Sequence, residues 1–384
     1  MTKKIVSILL GLTTLLALAG CDGETDVKTS GSGSTEVKTY RIGTIGPLSG
    51  DAASYGIETQ RIMDYRLAEI NKEYANKGAK FELVYEDGKC DGAAAAAAFQ
   101  KLTDVDGIKL IIGGGCSSET LGFLPMLEDK GVVALSFLSS NPELEGKSKN
   151  FFTLSYSDSL VGAGLGSELG KYKKVDLITE QNDYNIALRK VTLDTLAKNS
   201  PDTQIVLDET FPKGSTDLRD LLAKVNASDA EAILINANPG VTTIALVKQL
   251  AEIKDFNKKI IGQVGLMGQD AIDAAPSLLE GAIVVDAPNI KNKDFEDYLK
   301  KITDAKGPLD NIGPYYAGTS LDCLNIMTSL AAKEDGDPQK VRDDLATGTF
   351  SGWIAPSYSF NGKTFVRGVG YAKYVIKNGK TVLQ

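Results

Sequence analysis

The sequence predicts an α/β protein built as two doubly wound lobes joined by crossover hinge segments. Three observations carry that expectation. From Tyr40 onward, short β-rich runs alternate with helical ones, the rhythm of a mainly parallel sheet with helices on both faces. The rhythm restarts at Val175, so the chain holds two units of similar build. Turns rich in glycine and hydroxyl groups follow several strands, at the end of the sheet where such folds take ligands. The 384 residues suffice for one or two cored domains.

In the first unit, Arg41 to Ile45 reads as a strand. Ile57 to Tyr74 reads as a helix, because Met63, Leu67, Ile70 and Tyr74 step by four, three and four and share one face. Phe81 to Tyr85 is the second strand, and Ala93 to Leu102 an alanine-rich helix of high propensity. Ile108 to Ile112, the helix Glu119 to Asp129 and the strand Val132 to Phe137 follow. The second unit offers strands at Val175 to Thr179, Gln204 to Asp208, Ala232 to Ile235, Lys259 to Gln263 and Ala282 to Val285. A helix around Tyr316 to Ala331 and a β-rich tail from Lys363 to Ile376 complete the chain.

Ahead of this body lies an export pattern. Lys3 and Lys4 precede an apolar run from Ile5 to Ala19, too short for a comfortable membrane span. Leu18-Ala19-Gly20-Cys21 resembles the lipobox of bacterial lipoproteins, in which the cysteine is lipidated and becomes the new N-terminus. The plainer alternative is a secretory signal with an incidental cysteine. Asp22 to Thr39 is almost free of apolar residues and contains Ser30-Gly31-Ser32-Gly33-Ser34, a flexible coil spanning about 20–25 Å on average.

Composition narrows the function. The formal charge is −8 and the body has no basic run, which argues against nucleic acid. The chain has no histidine. That removes Ser-His-Asp and Cys-His chemistry and any histidine zinc site. With no G-x-S-x-G elbow and no metal-ligand cluster, no catalytic residue, metal or cofactor is expected. Gly162-Ala163-Gly164-Leu165-Gly166 resembles part of a dinucleotide fingerprint, but it falls inside a helix and reads as close helix packing.

Cys90 follows the second strand and Cys116 the third. In a doubly wound sheet these strands flank the first, so their loops can meet, and an exported domain sits where disulfides persist. A Cys90–Cys116 bridge is the favoured reading; two buried free thiols are the alternative. Cys323 lies in a helical run and reads as a small core residue. Gly113-Gly114-Gly115-Cys116-Ser117-Ser118 turns from a strand into a helix, and free N–H groups and hydroxyls there suit a carboxylate. Alternatively, Ser117 or Ser118 only caps the helix. Leu138-Ser139-Ser140-Asn141-Pro142 offers a similar polar turn after strand four.

Gly46-Pro47-Leu48-Ser49-Gly50 with Tyr55-Gly56, Tyr85-Glu86-Asp87-Gly88-Lys89-Cys90-Asp91, Ile112 to Ser118, and Asn141-Pro142-Glu143-Leu144 resemble, in order and spacing, the leucine/isoleucine/valine-binding proteins of the type I periplasmic-binding fold. The resemblance implies that Ser117 holds a ligand carboxylate, with Leu138, Ser139 and Ser140 beside it. It also implies that Tyr55 walls the ligand side chain, a surface turn residue being the alternative, and that Tyr184 meets the ligand from the second lobe, ordinary packing being the alternative. Where the family usually carries an acid for the ligand ammonium, this sequence has Val264, and Asn236-Ala237-Asn238 replaces a second-lobe aromatic. A buried ammonium without an acid is costly, so Asp183, Asp270 or Asp286 substitutes, or the ligand lacks an α-ammonium.

The implied function is a lipid-anchored extracytoplasmic binding protein, a monomer. It would capture an amino acid or related small polar metabolite for the permease subunits of an ABC importer. The alternative is a sensor that delivers an amide or small carboxylate signal to a membrane receptor. The expected division is a leader over 1–21, a tether over 22–39, a first lobe of 40–157 with 289–365, and a second of 158–288 with 366–384.

Overall fold

The computed structural model describes residues 37–288, 290 and 292–384. Cys21, the leader and most of the expected tether lie outside the described residues.

Five parallel strands form the first sheet: β1 (Lys38–Gly46), β2 (Ala79–Asp87), β3 (Leu110–Gly113), β4 (Val133–Ser136) and β5 (Phe151–Thr153), in the order β2-β1-β3-β4-β5. β1 starts at Lys38, so the last two residues assigned to the tether pair with Ala79 and Lys80 in the sheet. The second sheet repeats the plan with β6 (Lys174–Gln181), β7 (Gln204–Pro212), β8 (Ala232–Asn236), β9 (Lys259–Gly262) and β10 (Ile283–Asp286). Its parallel order is β7-β6-β8-β9-β10. A short hairpin, β11 (Thr349–Phe350) with β12 (Tyr358–Ser359), stands apart. β13 (Ala372–Lys377) and β14 (Lys380–Leu383) extend the second sheet antiparallel beyond β10.

Buried strands present an apolar residue on each face. Leu110 and Ile112 join one core and Ile111 the other, and Ala232 and Leu234 oppose Ile233 and Ile235 in the same way. The helix Ala53–Tyr74 buries Met63 and Ile70, with Leu67 and Tyr74 packed beside them, as their spacing predicts. Its opposite side, through Tyr55 and Ile62, joins an apolar cluster that takes in both lobes. The expected helix at Glu119–Asp129 is broken into Ser117–Phe123, a 3₁₀ turn at Leu124–Met126 and a short turn at Leu127–Lys130, because Pro125 cannot donate to the helical ladder. Gly162 and Gly166 lie in the helix Ser159–Leu169, where a β-carbon would stand 2.6 and 2.7 Å from Val191 and Thr195 of the helix Asp183–Asn199. That is the close packing expected of them.

The chain passes between the sheets three times: after β5, after β10, and between β12 and β13. Two of these strands touch, since Thr153 bridges Phe365 in parallel. In both sheets the order of the first five strands reverses beside the leading strand, at β1/β3 and β6/β8. The carboxyl ends at these two switch points are where doubly wound folds leave a crevice.

Candidate functional site

A cavity lies between the lobes, against the carboxyl ends of β1, β3, β4, β6, β8 and β9. Of the nine residues expected to meet a ligand, seven line it: Tyr55, Ser117, Leu138, Ser140, Tyr184, Asn238 and Val264.

The loops around it are held by two carboxylates. Asp87, at the end of β2, accepts the N–H groups of Leu48 and Ser49 at 2.9 and 3.2 Å and the Ser49 hydroxyl, which fixes the turn after β1. Gly56 then packs so closely on that turn that a β-carbon would stand 2.0 Å from the Pro47 carbonyl oxygen. This seats Tyr55 at the start of its helix. Buried Glu119 accepts the N–H of Cys90 at 2.9 Å and of Cys116 at 3.0 Å. Burial pushes its carboxyl up to about 7, against the pull of those N–H groups. The same two loops are joined by a Cys90–Cys116 disulfide, as favoured from the sequence, with Cα atoms 5.2 Å apart. Cys323 is free and buried. The loop presenting Ser117 is thus held covalently and by hydrogen bonds.

Ser117 does not cap its helix. Its Oγ accepts the N–H groups of Ser140 and Asn141 at 3.4 and 3.2 Å. Its own proton has no acceptor among the described hydrogen bonds, and a hydroxyl that accepts two N–H bonds is a stronger donor. Ser140 lines the cavity, yet its hydroxyl is engaged to Asp158 Oδ2 at 2.6 Å. Burial pushes Asp158 up to about 8, so at neutral pH it carries a proton and the pair can run in either direction. Leu138 borders the cavity with its side chain, and its N–H is held by Ser136 Oγ at 3.2 Å.

Two expected residues are displaced. Ser139 sits beside Ser140 but turns inward, bonding Thr120 Oγ1 at 2.7 Å and donating to the Gly114 carbonyl at 3.0 Å. Asn236 is fully buried and donates to the Asn185 carbonyl at 2.8 Å. Neither lines the cavity. Ser139 lies between Leu138 and Ser140, which do line it, since successive residues of extended chain face opposite ways.

From the second lobe, Tyr184 stands at the start of a helix capped by Asn182, which accepts the Asn185 N–H at 2.8 Å. Its buried phenol is held well above the ordinary tyrosine range by desolvation and remains a donor. Asn238 is fixed by its N–H to Glu180 Oε2 at 2.8 Å and approaches Cys90 Sγ at 3.8 Å. Val264 adds an apolar wall. Among the three candidate substitutes for the missing acid, Asp183 and Asp270 are exposed, and neither lines the cavity. Asp286 is buried and lies in a neighbouring chamber.

The lobes touch along the lip of the crevice. Thr242 donates its N–H to Asp51 Oδ1 at 3.2 Å, and Asn141 Nδ2 donates to the Asp183 carbonyl at 3.1 Å. Lys213 reaches the carbonyls of Lys89 and Cys90 at 3.2 and 2.5 Å. Gly240, at φ +130°, faces Asp51 so closely that a β-carbon would lie 2.1 Å from its carbonyl oxygen.

Residues 39–379 match the family described as periplasmic binding protein. The chain belongs to that family. A Leu/Ile/Val-binding protein of Citrobacter freundii is 26% identical over 370 residues, which cover 93% of this chain and 95% of the relative. A branched-chain amino acid transporter substrate binding protein from Streptococcus pneumoniae, solved with isoleucine, has a TM-score of 0.75 at 23% identity and covers 90% of this chain and 99% of its own. An ABC transporter solute binding protein from R. palustris, solved with 4-hydroxybenzoate, has a TM-score of 0.78 at 17% identity, with coverage of 90% and 96%. The two-lobed architecture is the type I periplasmic-binding fold.

In this periplasmic binding protein Tyr316 also lines the cavity, a residue the sequence reading placed only at the start of a helix. Glu58 positions it: its carboxylate accepts the N–H groups of Asn311 and Ile312 at 3.0 and 2.8 Å, tying the Tyr55 helix to the head of the helix Gly313–Lys333. Pro314 just inside that helix was the available local signal. Among the described residues no helix is long and apolar enough to cross a membrane.

Proposed function

We propose that this chain is an extracytoplasmic substrate-binding protein, anchored by a lipid on Cys21. In this reading it captures an amino acid or related small polar metabolite, as a monomer, for the permease subunits of an ABC importer. Residues 22–37 form the tether. Residues 40–157 with 289–365 move as one lobe, and 158–288 with 366–384 as the other. Ser117 donates to the ligand's anionic or polar head, Tyr55 and Leu138 border its body, and Tyr184 and Asn238 close from the second lobe.

One observation carries the reading. A hydroxyl whose proton is uncommitted stands at the switch point of one lobe, in a cavity whose opposite wall is a tyrosine and an asparagine from the other lobe. Nothing charged lines that cavity, which favours binding by neutral donors over catalysis. The relatives that bind leucine, isoleucine or 4-hydroxybenzoate support a small carboxylate as ligand class.

The test is a thermal-shift and calorimetry screen of the mature protein against amino acids, amides and small carboxylates. A ligand present at 100 times its Kd adds about 2.7 kcal/mol of stability. No stabilisation by any carboxylate would defeat the reading. For the anchor, Cys21→Ser should move the protein from the membrane to the soluble fraction, and unchanged retention would contradict lipidation there.

A further inference from the structure

We propose that the ligand carries a cationic group at the end remote from its carboxylate, and that Asp286 recognises it. The inference rests on the binding reading above and refines its substrate class.

Next to the Ser117 cavity lies a second chamber. Tyr55, Val264 and Tyr316 line both spaces, so the two meet at a boundary formed by these three largely apolar side chains. Asp286, at the carboxyl end of β10, lines only the second. Its Oδ1 accepts the hydroxyls of Tyr156 and Tyr316 at 2.9 and 3.0 Å. Its Oδ2 is buried and has no hydrogen-bond partner among the described residues, and the residue is only 1% exposed. The hydroxyl of Tyr55, which lines the same chamber, is buried and unpartnered too.

A buried carboxylate oxygen without a donor is costly, and the relief the fold gives this carboxylate comes from neutral groups alone, the Ala287 N–H and the hydroxyls of Tyr156 and Tyr316. No Lys or Arg pairs with Asp286 among the described residues. A cation that donates hydrogen bonds would satisfy Oδ2, and the faces of Tyr55 and Tyr316 at that boundary would favour it. The location decides which cation. An α-ammonium is one carbon from its carboxylate and would have to share the Ser117 cavity, where position 264 supplies a valine instead of an acid. Asp286 stands on the far side of that boundary. The ligand it fits therefore has an anionic head at Ser117, a short apolar middle between Tyr55, Val264 and Tyr316, and an ammonium or guanidinium tail at Asp286. The class is an ω-ammonio or guanidino carboxylate.

Calorimetry on the mature protein tests this with two matched series: 4-aminobutyrate, 5-aminopentanoate and 4-guanidinobutyrate against butyrate and pentanoate, with leucine as the α-ammonium probe. In the wild type at least one ω-cationic member should bind about 10- to 150-fold tighter than its uncharged counterpart, the range of a hydrogen bond to a charged group. Asp286→Asn keeps an acceptor for the two tyrosines and should bring that ratio to about one. A wild type that binds leucine or the plain carboxylates as well as the ω-cationic acids overturns the inference while leaving the binding function in place. So does an Asp286→Asn protein that keeps the preference. Should Asp286→Asn fail to fold, the wild-type ratio alone decides. If no carboxylate of any kind binds, the binding reading falls and this inference falls with it.

Discussion

Replacing Ser117 by alanine removes one oxygen that does two things at once. It accepts the N–H groups of Ser140 and Asn141 at 3.4 and 3.2 Å, and in the proposed complex it donates its own proton to the ligand head. Losing a hydrogen bond to a charged group costs about 1.5–3 kcal/mol, or roughly 10- to 150-fold in affinity. The N–H bonds are longer, are made to a neutral oxygen and border a cavity that admits water, so their loss should cost stability no more than about 1 kcal/mol. Calorimetry of Ser117→Ala should therefore show affinity falling by one to two orders of magnitude while the melting temperature moves by only a few degrees. The head-group chemistry gives a second readout. Against the amide of the same ligand, the loss should shrink toward the roughly 0.5–1.5 kcal/mol of a neutral hydrogen bond. Equal affinity of Ser117→Ala and wild type for the carboxylate would place the head elsewhere and refute the assignment.

Three further outcomes follow from the same geometry. Gly240→Ala puts a β-carbon about where the Asp51 carbonyl oxygen now stands, at 2.1 Å; the lobes should fail to close, lowering affinity by about tenfold or more and leaving the scattering radius unchanged on adding ligand, whereas normal compaction would contradict this. The folded-state pKa of Glu119 is raised from 4.5 to about 7, so its contribution to stability is complete below about 4.5 and is lost as pH rises through 7, by on the order of 3 kcal/mol; melting temperature should fall between pH 5 and 8, with a flatter slope in Glu119→Gln, and parallel slopes would reject the assignment. Non-reducing peptide mapping should join Cys90 to Cys116, and Cys90→Ser/Cys116→Ser should lose roughly 3–4 kcal/mol, as expected for opening a loop of that length, with a link through Cys323 as the contrary result.

Much of the fold was legible because its strands are buried on both faces and read as short apolar runs bounded by turns. Ile111 and Ile112 or Ile233 and Leu234 leave little choice of element. What escaped were elements too short for any period to show: β5 has three residues, and β11 and β12 two each. The β-rich tail was drawn too early. Between Lys363 and Tyr371 the chain makes only the Thr153–Phe365 and Ser359–Arg367 bridges, and regular pairing starts at Ala372. The residues expected on short turns after strands, such as Ser117 and Ser140, line the cavity because the turn chemistry is local. Ser139 and Asn236 do not line it, since side-chain direction at a strand end depends on a register that sequence does not print. Tyr316 and the placement of Asp286 were invisible for a different reason: they arrive from elements remote in the chain, and only the crossovers bring them beside Tyr55.

The lip of the crevice has a property that bears on where such a protein works. Lys213 and Asn141 hold main-chain carbonyls, and Thr242 offers a main-chain N–H to Asp51. Among the described residues no ion pair joins one lobe to the other. Mobile ions screen attraction between separated opposite charges over about 8 Å at physiological ionic strength, and they act far less on a charge in direct contact with a backbone dipole, as at Lys213 and Asp51. The strength of the lip is therefore largely independent of salt. A captured molecule should stay about as long in a dilute medium as in a saline one, so the residence time is a property of the protein and is not handed over to the water outside the cell.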